Sequence, residues 1–144
     1  MPKGWGAPGT ADLIRVYLLR RGRGTQYGAY KFILAWLETT YTKTKKGKQY
    51  VPPTYQSVRR MFTYMRKVGL IEDAGTAPGL KPQSMKRHYY RVMKGRETDP
   101  RWRNPVLAYY DPDRFKEVEQ TARAVLTGAE IRDIVRFLNE HPEL

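Results

Sequence analysis

One stretch of the chain restricts the fold more than any other, because a helical pattern ends there at a glycine and a strand pattern follows at once. The helical pattern consists of four apolar residues at i, i+3, i+4 and i+7, namely Val58, Met61, Phe62 and Met65. Thr54, which follows two prolines, is a suitable N-cap, and Gly69 is placed to end the helix in the left-handed conformation. Residues 70–73 then predict a short strand.

Two more helices are predicted ahead of this unit. The first begins at Thr10, a possible cap, carries Asp12 in its first turn and stops before Gly22. Residues 20–24 mix arginine with glycine and predict a flexible basic loop. The second helix extends over about residues 27–41, because five residues form one continuous apolar face, namely Tyr30, Ile33, Leu34, Leu37 and Tyr41.

A β-hairpin is predicted after the third helix. Residues 74–84 must turn, because they contain Gly75, Pro78, Gly79 and Pro82. Residues 85–93 are rich in aromatic side chains and predict a second strand. The two predicted strands therefore form a hairpin with a long tip.

The C-terminal part of the chain predicts two further helices. After a short apolar piece at 106–110, a helix is expected to begin at Asp111 and Pro112, with its apolar side formed by Phe115, Val118, Ala122, Val125 and Leu126. Thr127 and Glu130 have the spacing of a capping box. They predict the start of a last helix, which Pro142 ends.

The charge of the chain is large and unevenly distributed. Lys and Arg number 27 against 14 Asp and Glu, a formal net charge of +13. Residues 1–105 carry 22 basic and 6 acidic side chains, whereas residues 106–144 carry 5 and 8. Such a charge predicts a polyanionic partner, with nucleic acid first and an anionic membrane second. A hydrophobic content of 40% predicts a folded protein rather than a basic disordered tail.

Several functional classes are excluded by composition. The chain has no cysteine and two histidines, so it offers no disulfide framework, thiolate nucleophile or Cys-ligated zinc site. No metal or cofactor is expected. The first residues lack the apolar run of a signal peptide, and no apolar stretch approaches 18 residues. We therefore expect a cytoplasmic protein without membrane association, nucleoid-associated if its source is prokaryotic or viral.

Segment 55–72 resembles the third helix and following strand of winged helix-turn-helix DNA-binding domains, through its basic amphipathic helix and its Gly-Leu-Ile step before Glu72. The order of predicted elements extends the resemblance over about residues 10–93. It implies an α+β fold, mostly α, with three helices and a β-hairpin wing, here followed by a C-terminal two-helix extension. The connection 42–53 is about three times as long as the 3–4 residues of a tight helix-turn-helix.

The predicted organisation has three parts. Residues 1–9 form a flexible arm, residues 10–105 a basic winged-helix DNA-binding domain, and residues 106–144 an acidic helical extension. The extension carries an apolar stripe formed by Ile131, Ile134, Val135 and Leu138. This stripe predicts homodimerisation, and the alternatives are packing on the first helix or binding to another protein.

The resemblance implies that the third helix enters the major groove of duplex DNA. Its candidate contacts are Tyr55, Gln56, Ser57, Arg59, Arg60, Thr63, Tyr64 and Lys67. Arg59 and Arg60 have the chemistry to read guanine or bind phosphate, and Gln56 has the chemistry to read adenine. The alternative is an ordinary solvated helix face.

Two further basic groups are candidates for contact with phosphates. A loop carries Lys43, Lys45, Lys46 and Lys48, whose charges suit sequence-independent attraction, with a solubilising role as the alternative. The wing carries Lys81, Lys86, Arg87 and Arg91. Because Arg87 and Arg91 are four positions apart in one predicted strand, they are expected on the same face.

The chain has 11 tyrosines, and aromatic rings among cations also suit single-stranded nucleic acid, whose bases stack on them. The candidates are Tyr89, Tyr90, Tyr109 and Tyr110, with packing inside the protein as the alternative. His88 and Arg91 have the His-x-x-Arg spacing found in tyrosine recombinases. That segment predicts a strand, however, and 144 residues leave little room for such a catalytic domain.

These observations predict a sequence-specific or architectural protein that binds duplex DNA, with a transcriptional regulator as the leading interpretation. It is expected to have no catalytic activity, cofactor or small-molecule substrate. One alternative is an RNA-binding or ribonucleoprotein-associated factor, which would prefer structured RNA to duplex DNA. The other is a non-catalytic component of DNA replication or recombination.

Overall fold

The structure is a computed structural model, and it describes residues 9–44, 52–77, 86–119 and 128–144. The helices within these residues are α1 (Thr10–Arg21), α2 (Gln26–Thr44), α3 (Tyr55–Lys67), α4 (Pro105–Tyr110), α5 (Pro112–Glu119) and α6 (Gly128–Glu140). The strands are β1 (Ile71–Ala77) and β2 (Arg87–Val92), and a 3-10 helix (Pro100–Arg103) precedes α4. The expected α+β class with mostly helical content is confirmed.

The core lies where α1, α2 and α3 meet. The stripe predicted for α3 is confirmed, because Val58, Phe62 and Met65 are fully buried and Met61 packs against them at the margin. The other helices contribute fully buried side chains to the same core, including Leu13, Ile14, Leu18, Phe32 and Ile33. This core fixes the orientation of α3, because one apolar face of the helix is held inside.

The two ends of α3 follow the sequence prediction. The Thr54 hydroxyl oxygen accepts a hydrogen bond from the backbone N–H of Ser57 at 3.0 Å, and Gly69 has φ of 80°. At α1 the prediction was wrong by one residue. Gly9 occupies the N-cap position without a side-chain bond, and Thr10 is the first helical residue.

β1 and β2 form an antiparallel hairpin, and β1 is longer than predicted. The register pairs Ile71 with Val92 and Asp73 with Tyr90, then shifts before Thr76. Residues 74–77, expected to turn, continue the strand, because Gly75 with φ of 98° accommodates the irregularity. The predicted tip at 78–84 lies outside the described residues.

The connection between α1 and α2 is bound to the hairpin. The backbone N–H of Gly24 donates to the Tyr90 carbonyl at 2.9 Å, and the N–H of Tyr90 donates to the Gly24 carbonyl at 2.8 Å. A Cβ at residue 24 would lie 2.7 Å from the Tyr17 ring, so glycine alone fits this close approach. The segment expected as a flexible loop therefore holds the hairpin at a fixed place beside α1 and α2.

The predicted boundary near residue 105 is packed into the protein. Trp102 is buried, and its indole N–H donates to the Arg96 carbonyl at 2.7 Å. Arg101 donates to Asp99 and to the carbonyl of Val68 at the end of α3. Residues 106–110, predicted as a short apolar piece, belong to α4 (Pro105–Tyr110), which packs on α3. The described residues on the two sides of this boundary therefore pack against each other.

Helix α6 folds back on α1 and α2. Ile134 and Leu138 are fully buried in the common core, whereas Ile131 and Val135 are half-buried at its edge. The ring of Phe137 also packs against this core. The apolar stripe predicted as a homodimer interface therefore packs largely on the core of its own chain, as in the intramolecular alternative, with Ile131 and Val135 still half-exposed at the edge.

Hydrogen bonds reinforce this docking of α6. The Arg20 guanidinium donates to the side-chain oxygen of Asn139 at 2.9 Å, and Arg21 donates to the carbonyls of Leu138 and His141.

Phe115 is buried on α5 as expected, whereas Ala122, Val125, Leu126 and Thr127 lie outside the described residues.

Candidate nucleic-acid interface

The exposed face of α3 is polar and basic. Successive residues of a helix are rotated by about 100°, so the side opposite the buried stripe is centred on Gln56 and Thr63. The exposed side chains on this side are Gln56, Arg59, Arg60, Thr63 and Lys67. The sequence of α3 contains no acidic residue. The helix therefore presents hydrogen-bonding groups and positive charge to solvent without an acid on its own surface.

Three of these side chains project from the first half of the helix. Gln56, Arg59 and Arg60 are exposed, and the Arg59 guanidinium lies 5.7 Å from the centre of the Tyr55 ring. Ser57 is also exposed but is used in the helix cap, because its backbone and side chain both bond the Thr54 hydroxyl. The Thr63 hydroxyl donates to the carbonyl of Arg59 within the helix.

Tyr64, predicted as an exposed contact, lies against α4. It is 8% exposed, and its ring packs 5.6 Å from Tyr109 and 5.4 Å from Tyr110. We call Tyr64, Tyr109 and Tyr110 the tyrosine patch. The hydrogen bond between the Tyr110 and Tyr64 hydroxyls lowers the pKa of Tyr64, and the nearby Arg60 guanidinium lowers it further. The Lys67 ammonium lies 4.9 Å from the Tyr109 ring, so this cation borders the patch.

A second aromatic cluster lies at the opposite edge of α3. Tyr55 packs against Tyr27 and Tyr30 of α2, with ring centres 5.8 Å and 5.4 Å away. Tyr27 is largely exposed, and the Lys31 ammonium lies 5.8 Å from its ring. Because Tyr55 and Tyr64 are nine residues apart, a helix turns by about 180° between them. Aromatic side chains therefore border the basic face on both sides.

An open groove adjoins the cluster at Tyr55. It has a volume of about 870 Å³ and lies between the α1–α2 connection, the start of α2 and β2. Its basic lining residues are Arg21, Arg23, Lys31, Lys86 and Arg87, and Glu143 also lines it. Arg23 stacks 4.1 Å from the Tyr89 ring and donates to the Ala74 carbonyl at 2.9 Å. These contacts hold a cation in place at the wall of the groove.

Arg23 and Lys31 belong to this surface although they were not predicted as site residues. Residues 20–24 were recognised as basic, but nothing local indicated that Gly24 pairs with the hairpin. That pairing brings Arg23 beside β2, where it shares the groove with Lys86 and Arg87. Long-range pairing of this kind leaves no signal in residue spacing.

The predicted wing residues differ in their surroundings. Lys86 and Arg87 are exposed at the start of β2. Arg91 pairs with Glu72 across the hairpin at 2.9 Å, which neutralises part of its charge. Lys43 belongs to α2, but its side chain is outside the described set. The remaining lysine candidates, Lys45, Lys46, Lys48 and Lys81, lie outside the described residues.

The described residues contain neither a cluster of metal ligands nor a helix that could span a membrane. Those residues contain no group of three or more acidic or histidine side chains able to hold a metal ion. No described helix is both long enough and apolar enough to cross a membrane. No protein family, curated protein or solved structure matches this chain.

Proposed function

We propose that this chain is a winged-helix protein that binds duplex DNA, with α3 in the major groove and the β1–β2 hairpin as the wing. The order α1, α2, α3, β1, β2 supports this arrangement. The paired backbone bonds between Gly24 and Tyr90 support it further, because they hold the hairpin at one position relative to the helices.

The observation that carries the proposal is the exposed face of α3. Arg59 and Arg60 offer planar guanidinium groups that match the two acceptors of guanine, and Gln56 offers the donor and acceptor that match adenine. The buried stripe on the other side keeps these three residues turned outward. The major groove of B-DNA, about 12 Å wide, admits a helix in this orientation.

The groove beside α3 supplies a second type of contact. Arg23, Lys31, Lys86 and Arg87 line one concave surface that begins at Tyr55, the first residue of α3. Cations arranged in this way bind phosphates without reading sequence. In the proposed complex, α3 reads base edges while the groove and hairpin hold the neighbouring backbone.

The shape of the basic surface favours duplex DNA over duplex RNA. The major groove of A-form RNA is deep and narrow, and side chains on a helix do not reach its base edges. The surface proposed to read bases is the convex face of a single helix, α3, which requires a wide groove. The protein acts in this proposal by occupying or shaping DNA, without catalysis, as a regulator or an architectural factor.

The test compares a double substitution in α3 with a matched control. Arg59→Ala with Arg60→Ala removes two cations from the proposed interface, whereas Arg132→Ala with Arg136→Ala removes two from the exposed side of α6. Affinity is measured on a duplex selected from random sequences and on a scrambled duplex. The α3 variant should lose about 1–3 kcal/mol per lost base contact on the selected duplex and less on the scrambled one.

The control variant should bind both duplexes almost as the natural sequence does. Equal losses of the α3 variant on both duplexes would mean that α3 binds without reading, which favours an architectural role. If the α3 variant binds both duplexes with unchanged affinity, α3 does not face DNA and the proposal fails.

A further inference from the structure

The tyrosine patch presents an aromatic ring in a fixed orientation. Tyr110 is 65% exposed, yet its hydroxyl is hydrogen-bonded to the hydroxyl of Tyr64 at 2.5 Å. Tyr109 meets it edge to face with ring centres 5.2 Å apart. Because the polar end of Tyr110 is held by Tyr64, the surface that it offers to solvent belongs largely to its ring.

Positive charge lies where the tyrosine patch meets the exposed face of α3. The Arg60 guanidinium is close enough to the Tyr64 hydroxyl to help lower its pKa, and the Lys67 ammonium covers one side of the Tyr109 ring. The nearest acid in sequence is Asp111, whose carboxylate accepts the backbone N–H of Arg114 at the start of α5. That carboxylate is therefore engaged in capping a helix.

An exposed ring beside two cations matches the chemistry of an unpaired nucleotide. The base of such a nucleotide stacks on the ring while its phosphate meets the ammonium or guanidinium group. Bases inside a continuous duplex are stacked on each other, so their faces are not available to a side chain. A duplex backbone would use Arg60 and Lys67 but leave the ring of Tyr110 without a partner.

We infer that the tyrosine patch stacks an unpaired base next to the duplex held by α3, so that the preferred substrate is duplex DNA with an adjoining single-stranded segment. This inference rests on the proposed function. Gln56 and Tyr64 are eight residues apart, which is about 12 Å along a helix axis. The unpaired segment then lies about 12 Å, measured along α3, from the bases that the start of α3 reads.

The experiment compares one duplex with the same duplex carrying a short unpaired extension. The fluorescent base 2-aminopurine is placed in the extension, where stacking on a ring quenches its emission. The extension should raise affinity roughly 5- to 150-fold, the range that stacking of one base on an aromatic side chain provides. Quenching by the natural protein is a readout that requires no variant.

Substitutions then assign the effect to the ring. Tyr110→Leu should abolish the quenching and the gain in affinity while leaving the affinity for the plain duplex unchanged. Tyr110→Phe keeps the ring and should retain most of both effects. Tyr27→Leu, at the other exposed tyrosine edge of α3, is the matched control and should change the affinities for both DNAs by the same factor.

The outcomes separate this inference from the proposed function. Equal affinity for the two DNAs without quenching overturns the inference and leaves duplex binding intact. A Tyr110→Leu variant that keeps the full gain from the extension also overturns it. If neither DNA is bound, the proposed function itself fails, and the inference fails with it.

Discussion

Replacing Leu138 by alanine tests whether α6 is part of the folded body of one chain. Leu138 is 0% exposed and packs in the core shared with α1 and α2. The substitution removes three buried carbon atoms, worth about 2.4 kcal/mol in transfer free energy. The cavity left behind adds to this, so we expect a loss of about 3–4 kcal/mol in the free energy of unfolding.

This loss corresponds to a large change in melting temperature. The entropy of unfolding for a chain of this length is about 0.3 kcal/mol/K, so Tm should fall by about 10 °C. Leu19→Ala is the matched control, because Leu19 lies on α1 and is 46% exposed. The control should change stability by about 0.5 kcal/mol or less. Both transitions are followed by circular dichroism during heating.

Protein concentration distinguishes packing within the chain from packing between chains. Since α6 is covered by its own chain, Tm should not depend on protein concentration. Two results would refute the reasoning. One is that the Leu138→Ala variant and the Leu19→Ala control melt at the same temperature. The other is that Tm rises with protein concentration in the natural protein but not in the Leu138→Ala variant.

Three further substitutions have definite expected outcomes. Gly69→Ala should lower the free energy of unfolding, measured by urea denaturation, by about 1–2 kcal/mol, because φ at this position is 80°. The added Cβ would meet no atom within 4 Å, so the loss comes from backbone strain alone. Partial burial opposes the ionised form of Asp99, but hydrogen bonds from Arg101 outweigh this effect and lower the pKa of the carboxyl below its ordinary value of 3.8. The natural protein should therefore lose stability as pH falls from about 5 towards that lower pKa, and Asp99→Asn should lack this contribution. Glu72→Gln releases Arg91 from its ion pair and should strengthen duplex binding, with a salt slope more negative by about 1.

The local parts of the fold were predictable because their signals lie close together in the sequence. The apolar spacing of α3, its cap at Thr54 and its end at Gly69 each depend on neighbouring residues, and all three agree with the structure. The exposure of Arg59 and Arg60 follows from the same helix period. Their role in reading DNA stays a prediction.

The less predictable parts depend on contacts between distant residues. The sequence indicates that Tyr64 lies off the apolar stripe, but it does not indicate that α4 covers it. An apolar stripe at Ile134 and Leu138 shows that the surface must be buried, whereas its partner depends on the path of the whole chain. The pairing of Gly24 with Tyr90 is of the same kind, because it joins a loop to a strand far along the sequence.

The most direct test of the central claim is the affinity of the chain for one sequence as duplex DNA, as single-stranded DNA and as duplex RNA, measured over a range of salt concentrations. Six cations on α3 and in the groove are placed for phosphate or base contact, namely Arg23, Lys31, Arg59, Arg60, Lys86 and Arg87. Neutralising roughly 5–8 phosphates predicts a slope of log affinity against log salt of about −4 to −7 on duplex DNA. Of the three nucleic acids, duplex DNA should be bound with the highest affinity. A slope near zero, or tighter binding to duplex RNA, would contradict the account.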